Sequence, residues 1–151
     1  MIAMNAPTGQ TPPLDWPDYD ISFVDAYKRG FKKYATFSGR ASRSEFWWVQ
    51  LFIWLLNLIP VIVINVGAAG SMNASGEFIL NGVAVVGIAL AVIIALLLII
   101  PSLALTWRRL HDANLSGAFF LFVLIPGVGS LILFILVLMP SNPAGVRFDK
   151  L

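Results

Sequence analysis

The stretch from Phe78 to Trp107, FILNGVAVVGIALAVIIALLLIIPSLALTW, contains no charged residue. Two other stretches share this property, Phe46 to Gly76 and Ala113 to Val146, so all charges lie before, between or after the three. A helix of about 20 apolar residues crosses a hydrocarbon core about 30 Å thick, and charged side chains are costly inside it. The pattern therefore predicts an all-α integral membrane protein with three transmembrane helices.

The composition agrees with a membrane protein and excludes several kinds of site. The chain has 151 residues, of which 58% are hydrophobic and 12% charged, whereas about a quarter of a soluble domain is charged. It has no cysteine and one histidine, which excludes disulfides, thiolate metal sites and multi-histidine metal sites within one chain. We therefore expect no metal ion and no cofactor.

The basic residues are concentrated where membrane topology would place them. Six of the ten precede the first apolar stretch, as expected for residues that hold a segment in the cytoplasm and face anionic lipids. We therefore expect no nucleic-acid partner, a cytoplasmic N-terminus and a multi-pass path through the membrane. These six residues are Lys28, Arg29, Lys32, Lys33, Arg40 and Arg43.

The region before the first span divides into a tail and a short helix. Residues 1–21 are rich in proline and lack the apolar core of a cleavable signal, so we expect a disordered cytoplasmic tail. Over residues 22–34, Ser22 is a candidate helix cap and aromatic residues recur at helical spacing from Phe23 to Tyr34, away from the lysines. This pattern predicts an amphipathic helix lying in the membrane interface; the alternative is a short helix that packs on the rest of the domain.

The first two spans have clear boundaries. Ser42 and Glu45 have the spacing of a capping box, so we expect a span over about residues 44–66 with Trp47 and Trp48 as interfacial anchors. The following loop lacks Lys and Arg and is expected on the far side of the membrane. The second span covers about residues 79–107, with a kink predicted at Pro101 and an interfacial anchor at Trp107.

The path of the third apolar segment, about residues 118–139, is open. It is interrupted by Pro126 and Gly127, so it either crosses as a kinked helix or dips in as two half-helices and returns. Its length is sufficient for a crossing, and we favour the crossing. The membrane domain then covers residues 22–147, and residues 140–151 form a short C-terminal tail.

Two short charged segments carry a resemblance to a known family. The first is FSGRASRSEFWW, from Phe37 to Trp48, and the second is RRLHD, from Arg108 to Asp112, followed by Ser116 and Gly117. With these boxes the chain resembles the YhaH-like bacterial inner-membrane family, also called domain of unknown function 805, over about residues 22–147. The resemblance implies a helical protein of the bacterial inner (plasma) membrane and supplies no reaction.

The chain departs from the family pattern in three places. Leu115 stands where a basic residue is frequent, and Ala118 where an aromatic residue is frequent. The final motif, Gly145-Val146-Arg147-Phe148-Asp149, is shorter than the family's usual ending.

The same two charged segments form the candidate site. Under the predicted topology they lie on one membrane face, where arginines could hold a phosphate or carboxylate through paired hydrogen bonds, most naturally an anionic lipid headgroup. The alternative is a structural network that anchors the spans. The candidate residues are Arg40, Arg43, Glu45, Arg108, Arg109, His111 and Asp112.

These features favour a non-enzymatic binding or scaffolding protein whose partners are the bilayer, its anionic lipids and, as a further option, copies of itself. No pair of carboxylates lies within the apolar stretches, and no sequence feature marks a serine as an activated nucleophile. We therefore expect no catalytic residues. The alternative function is a small transporter or channel subunit acting as an oligomer, because interrupted helices are used for transport sites.

Overall fold

The computed structural model describes residues 12–14, 16–71 and 80–149, and in this part of the chain all regular structure is helical. The long elements are the helices α1 (Phe23–Lys32), α2 (Arg43–Ala69) and α3 (Gly82–Asp112). They are followed by a 3₁₀ helix η1 (Gly117–Leu124), the helix α4 (Gly129–Leu138) and a second 3₁₀ helix η2 (Pro143–Phe148).

Helices α2 and α3 are both long and apolar enough to cross a membrane. The predicted start of α2 is formed, because the Glu45 backbone N–H donates to Ser42 Oγ at 3.1 Å. Helix α3 continues through Pro101 and extends past Trp107 to include the whole Arg108–Asp112 segment. Most of the apolar side chains on both helices are exposed, as in Leu96 at 66%, which is the pattern expected of helices that face lipid.

The chain divides into two compact units, residues 50–99 and residues 1–49 with 100–151. In the first unit, α2 and α3 approach closely at small residues. A Cβ atom built on Gly67 would overlap the backbone of Ala84, and one built on Gly87 would lie 2.8 Å from the backbone nitrogen of Ile64. Small residues at such crossings let the helix backbones come together.

The second unit, residues 1–49 with 100–151, contains α1, the first turns of α2, the last turns of α3 and everything that follows. Its apolar core consists of Ala41, Phe46, Leu105 and Val137, which brings together the beginning of α2, the end of α3 and the end of α4. We call this unit the head, because it also contains both charged segments.

The third apolar segment does not form the single kinked helix that we favoured. It is two short elements, η1 and α4, separated by a turn at Ile125–Val128 in which Gly127 has a φ of +82°. Pro126 cannot donate a backbone hydrogen bond and Gly127 adopts a conformation that disfavours other residues, so the helix ends there. Neither piece reaches the length of about 30 Å that a crossing requires, since η1 spans about 16 Å and α4 about 15 Å.

Part of the expected N-terminal tail has defined contacts. Ser42 donates to the carbonyl oxygen of Asp18, and Ser44 donates to that of Tyr19 at 2.9 Å. These hydrogen bonds fix residues 18 and 19 on the start of α2. The expectation for residues 1–11 lies outside the described residues, as do residues 72–79 of the loop between the predicted first and second spans.

Candidate functional site

The Glu45 carboxylate joins three helices at the centre of the head. Its Oε1 atom accepts from Lys33 Nζ, just beyond α1, at 3.4 Å and from Arg108 Nη1 of α3 at 3.5 Å. The three side chains are 3% exposed or less. We call Lys33, Glu45 and Arg108 the Glu45 cluster.

The buried side chain of Asp112 lies at the centre of a second group of polar side chains. Its Oδ2 atom accepts from Arg109 Nη1 at 2.6 Å and from the hydroxyl of Ser141, and its Oδ1 atom accepts from Tyr19 OH at 3.2 Å. Burial, and then the charge of Asp112, raise the pKa of the Tyr19 phenol above its ordinary value. Asp112 therefore holds the N-terminal segment and the segment after α4 on the end of α3.

Arg40 is held by a carboxylate from the C-terminal segment. Its Nε donates to both oxygens of Asp149, at 2.9 and 3.1 Å, and its Nη2 donates to Asp149 Oδ2 at 2.6 Å. Arg40 Nη1 also lies 4.0 Å from Asp112 Oδ1. Burial lowers the pKa of Arg40, but the hydrogen bonds and charge of Asp149 outweigh it, so the pKa is raised. We call Arg40, Arg109, Asp112 and Asp149 the Asp112 cluster.

The two clusters differ in their charge balance. The Asp112 cluster has two arginines and two carboxylates, whereas the Glu45 cluster has two cations and one carboxylate. Burial lowers the pKa of Lys33 to about 8; Glu45 opposes this shift, while the positive charges of Arg108 and Arg29 add to it. An excess positive charge is therefore buried where α1 meets the two long helices.

The end of α4 is bound by two arginine side chains. Arg43 donates to the carbonyls of Leu138 and Met139 at 2.8 and 3.2 Å, and Arg109 Nε donates to the carbonyl of Val137 at 3.0 Å. Arg109 Nη2 donates to the carbonyl of Met139 as well. The last carbonyls of a helix have no partner within it. These guanidinium groups satisfy them and fix the end of α4 to the start of α2 and the end of α3.

His111 has a structural environment. Its Nδ1 atom lies 3.1 Å from the carbonyl oxygen of Gly39, and its ring stacks on that of Phe148, with 4.0 Å between centroids and 1° between planes. The Arg147 guanidinium lies 4.6 Å above the Phe148 ring. The histidine thus packs between the first charged segment and η2.

The seven candidate residues all lie in the head, but six of them are buried: of the seven, only Arg43 is exposed. Most of their hydrogen-bonding groups are directed to other groups of the chain, which is the arrangement expected of the structural alternative. The exception is Glu45 Oε2, which is buried without a hydrogen-bond partner in the part of the chain that the structure describes. Of the predicted anchors, Trp48 is 39% exposed and Trp47 and Trp107 are half-buried. Within the ranges that the structure describes, no group of three or more His, Asp or Glu side chains is placed to hold a metal ion.

Sequence reasoning missed several partners of these residues. Lys33 is expected with the other lysines, opposite the aromatic face of the amphipathic helix, but the structure buries it. It follows Ala26 and Arg29 at helical spacing, and all three are buried. This spacing is the signal that could have found it. Asp149 and Tyr19 carried no comparable signal, because their partners lie far away in the sequence.

The family comparison and the similar proteins point to the same family. The family described as "Protein of unknown function (DUF805)" matches residues 34–150. The chain is 34% identical to "Inner membrane protein YhaH" of Escherichia coli K12 over 127 residues, covering 83% of this chain and 93% of the relative. It is also 34% identical to "Inner membrane protein YhaI" of the same organism over 124 residues, covering 82% and 92% of the two chains. No solved structure matches it.

The family match covers the two charged segments and the apolar stretches around them. The chain is a member of the DUF805 family of inner membrane proteins of unknown function.

Proposed function

We propose that the protein is a non-enzymatic, lipid-binding scaffold of the bacterial inner membrane, with its head and N-terminus on the cytoplasmic side. The observation that carries this proposal is the orientation of α1. The basic side chains of Arg29 and of Lys33, which directly follows α1, are buried in the head, whereas the aromatic residues Phe23 and Phe31 of α1 are 38% and 51% exposed.

The buried face of α1 fixes the helix. Arg29 donates to the carbonyls of Pro12, Pro13 and Trp16 at 2.8 to 3.1 Å, and the neighbouring Lys33 binds Glu45. Gly30 packs against Val49 of α2. A helix held by these contacts presents a defined outer face.

The outer face of α1 has the chemistry of the headgroup region. Phe23, Val24 and Phe31 are exposed together with Lys28 and Lys32. Aromatic rings prefer the membrane interface and lysines attract anionic headgroups. If α1 lies with this face against the inner leaflet, its aromatic rings are in the interface and its lysines are next to the anionic headgroups.

The buried arginines have a different role in this proposal from the one that the sequence suggested. A headgroup would have to displace Asp149 to reach Arg40, or Asp112 to reach Arg109. We therefore assign anionic-lipid binding to the exposed cations Lys28 and Lys32, with the two buried clusters as the support that holds α1 in place.

The orientation follows from the charge distribution. The basic residues before α2 and at the end of α3 belong to one unit, and residues of this kind remain in the cytoplasm. By the same argument, we propose that the chain between α2 and α3 emerges on the outer side of the membrane. The transporter alternative and an oligomeric assembly stay predictions, and a flux measurement in liposomes would test the first.

The test measures lipid preference in nanodiscs containing phosphatidylcholine with or without phosphatidylglycerol. We expect the full chain to retain phosphatidylglycerol in native mass spectrometry, and the Lys28→Gln/Lys32→Gln variant to lose most of this preference. The Lys28→Arg/Lys32→Arg variant is the matched control, because it keeps both charges and should retain the lipid. An unchanged preference in the folded glutamine variant would refute the assignment to α1.

A further inference from the structure

The segment from η1 to α4 begins and ends at the same place. The segment starts shortly after Asp112, the last residue of α3. The carbonyl groups at its end accept hydrogen bonds from Arg109 and Arg43. The backbone N–H of Asn142 then donates to the carbonyl of Asp112 at 2.8 Å. The chain therefore returns, after α4, to the residue from which it departed.

The direction of α4 follows from its contacts with the start of α2. Leu138 lies at Arg43, and Phe134, one turn earlier in α4, contacts Trp47, one turn later in α2, with 6.3 Å between ring centroids. Val137 packs with Phe46 and with Leu105 of α3. Helix α4 thus runs antiparallel to the first turns of α2. The start of α4 therefore lies further along the direction that α2 takes from Arg43.

The surface of this segment is suited to hydrocarbon. The chain from Ala113 to Val146 contains no charge, and several apolar side chains are exposed, including Leu124 at 73% and Leu131 at 58%. In water such a continuous apolar surface would be costly. The segment begins just after the last turn of α3 and ends beside the first turn of α2.

The turn between η1 and α4, at Ile125–Val128, leaves few backbone N–H groups without a partner. Pro126 has no N–H, the N–H of Ile125 donates to Phe122 at 2.9 Å, and that of Gly129 donates to Ile125 at 3.0 Å. A Cβ atom on Gly129 would overlap the carbonyl of Phe122, so the two arms are in close contact there. Inside a bilayer, backbone N–H and C=O groups need hydrogen-bond partners within the protein, because no water is present to bind them.

We propose that residues 117–138 form a re-entrant hairpin that inserts into the leaflet on the side of the head and contacts its acyl chains. Each arm is about 15 Å long, which is half of the hydrocarbon core and too short to cross it. The protein then crosses the membrane twice, with α2 and α3, and the segment that follows α4 lies on the same side as the Arg40–Glu45 segment. This inference holds for either orientation of the chain and does not depend on the lipid preference of α1.

The absence of cysteine allows a direct test with single cysteine substitutions and a membrane-impermeant maleimide. The exposed positions Ala35 and Ala69 serve as reference points for the two sides, since they lie before α2 and at its end. In sealed vesicles, Ala144→Cys should be labelled from the same side as Ala35→Cys. Labelling of Ala144→Cys together with Ala69→Cys would establish a crossing and overturn the hairpin.

The depth of the tip provides the second readout. Val128→Cys, labelled with an environment-sensitive fluorophore in the full chain, should be quenched by lipids that carry a quencher within the acyl region. The same fluorophore on Ala144→Cys should not be quenched. Quenching of Val128 only by aqueous quenchers, or a disulfide between the Val128→Cys positions of two copies in place of lipid contact, would overturn the assignment to acyl chains.

Discussion

The buried ammonium group of Lys33 predicts an increase in stability with rising pH. Lys33 is 2% exposed and its pKa is lowered from 10.5 to about 8, first because of burial. In the unfolded chain the ordinary pKa applies. Between these two values the unfolded state binds more protons than the folded state, so the free energy of unfolding increases as the pH rises.

The size of this effect follows from the two pKa values of Lys33. Between about pH 7 and about pH 9.5, the folded state releases close to one proton that the unfolded state retains, which increases the free energy of unfolding by about 2 kcal/mol. The phenol of Tyr19 opposes this change, because its pKa is raised in the folded state and the unfolded chain therefore loses this proton first. The opposition is small, since the ordinary pKa of 10.0 lies above the interval.

The assay is unfolding by sodium dodecyl sulfate in mixed micelles, followed by tryptophan fluorescence across this pH interval. The Lys33→Met variant should lose the increase, whereas Lys32→Met, which changes the exposed neighbouring lysine, should keep it. A stability that is flat or decreasing in the unmodified protein, or an increase that survives in Lys33→Met, would refute the reasoning.

Two other substitutions test contacts within the head. Asp149→Asn removes the carboxylate that binds Arg40 and should lower the free energy of unfolding by about 3 kcal/mol, because a buried charge loses its partner. The control is Asp25→Asn, at a side chain that is 56% exposed, and it should change the free energy of unfolding by less than about 0.5 kcal/mol. If the two variants lowered the free energy of unfolding equally in the same detergent titration, a buried Arg40–Asp149 pair would be contradicted. Gly129→Ala places a methyl group against the carbonyl of Phe122 and should cost about 2–3 kcal/mol through overpacking. Gly82→Ala is its control, since nothing lies within 4 Å of that position, and a comparable loss there would indicate a general effect of alanine.

The features that depend on local chemistry could be predicted from the sequence. The Ser42 cap of α2 requires only residues within three positions of each other, and the apolar part of α3 follows from an uninterrupted apolar stretch. The family could also be identified, because its two charged boxes are short and contiguous.

The features that depend on distant partners could not be predicted. A segment of 22 residues with a proline near its middle is long enough to cross or to return, and the outcome depends on the contacts of Arg43 and Arg109 with the carbonyls of Val137 to Met139. Likewise, the sequence identified Arg40 as a candidate binder of anions, but the anion in the structure is a carboxylate 109 residues further along the chain.

This separation between partners has a consequence for biosynthesis. Arg108 follows Glu45 by 63 residues and Asp149 follows Arg40 by 109. Glu45 therefore emerges from the ribosome with Lys33 but long before Arg108, and Arg40 emerges long before Asp149. Until then these charges must remain hydrated at the membrane surface, because burial without a partner is costly. The head therefore closes only after both long helices have been inserted, and a chain halted between them would display unpaired charges by which a protease could distinguish it from a finished molecule.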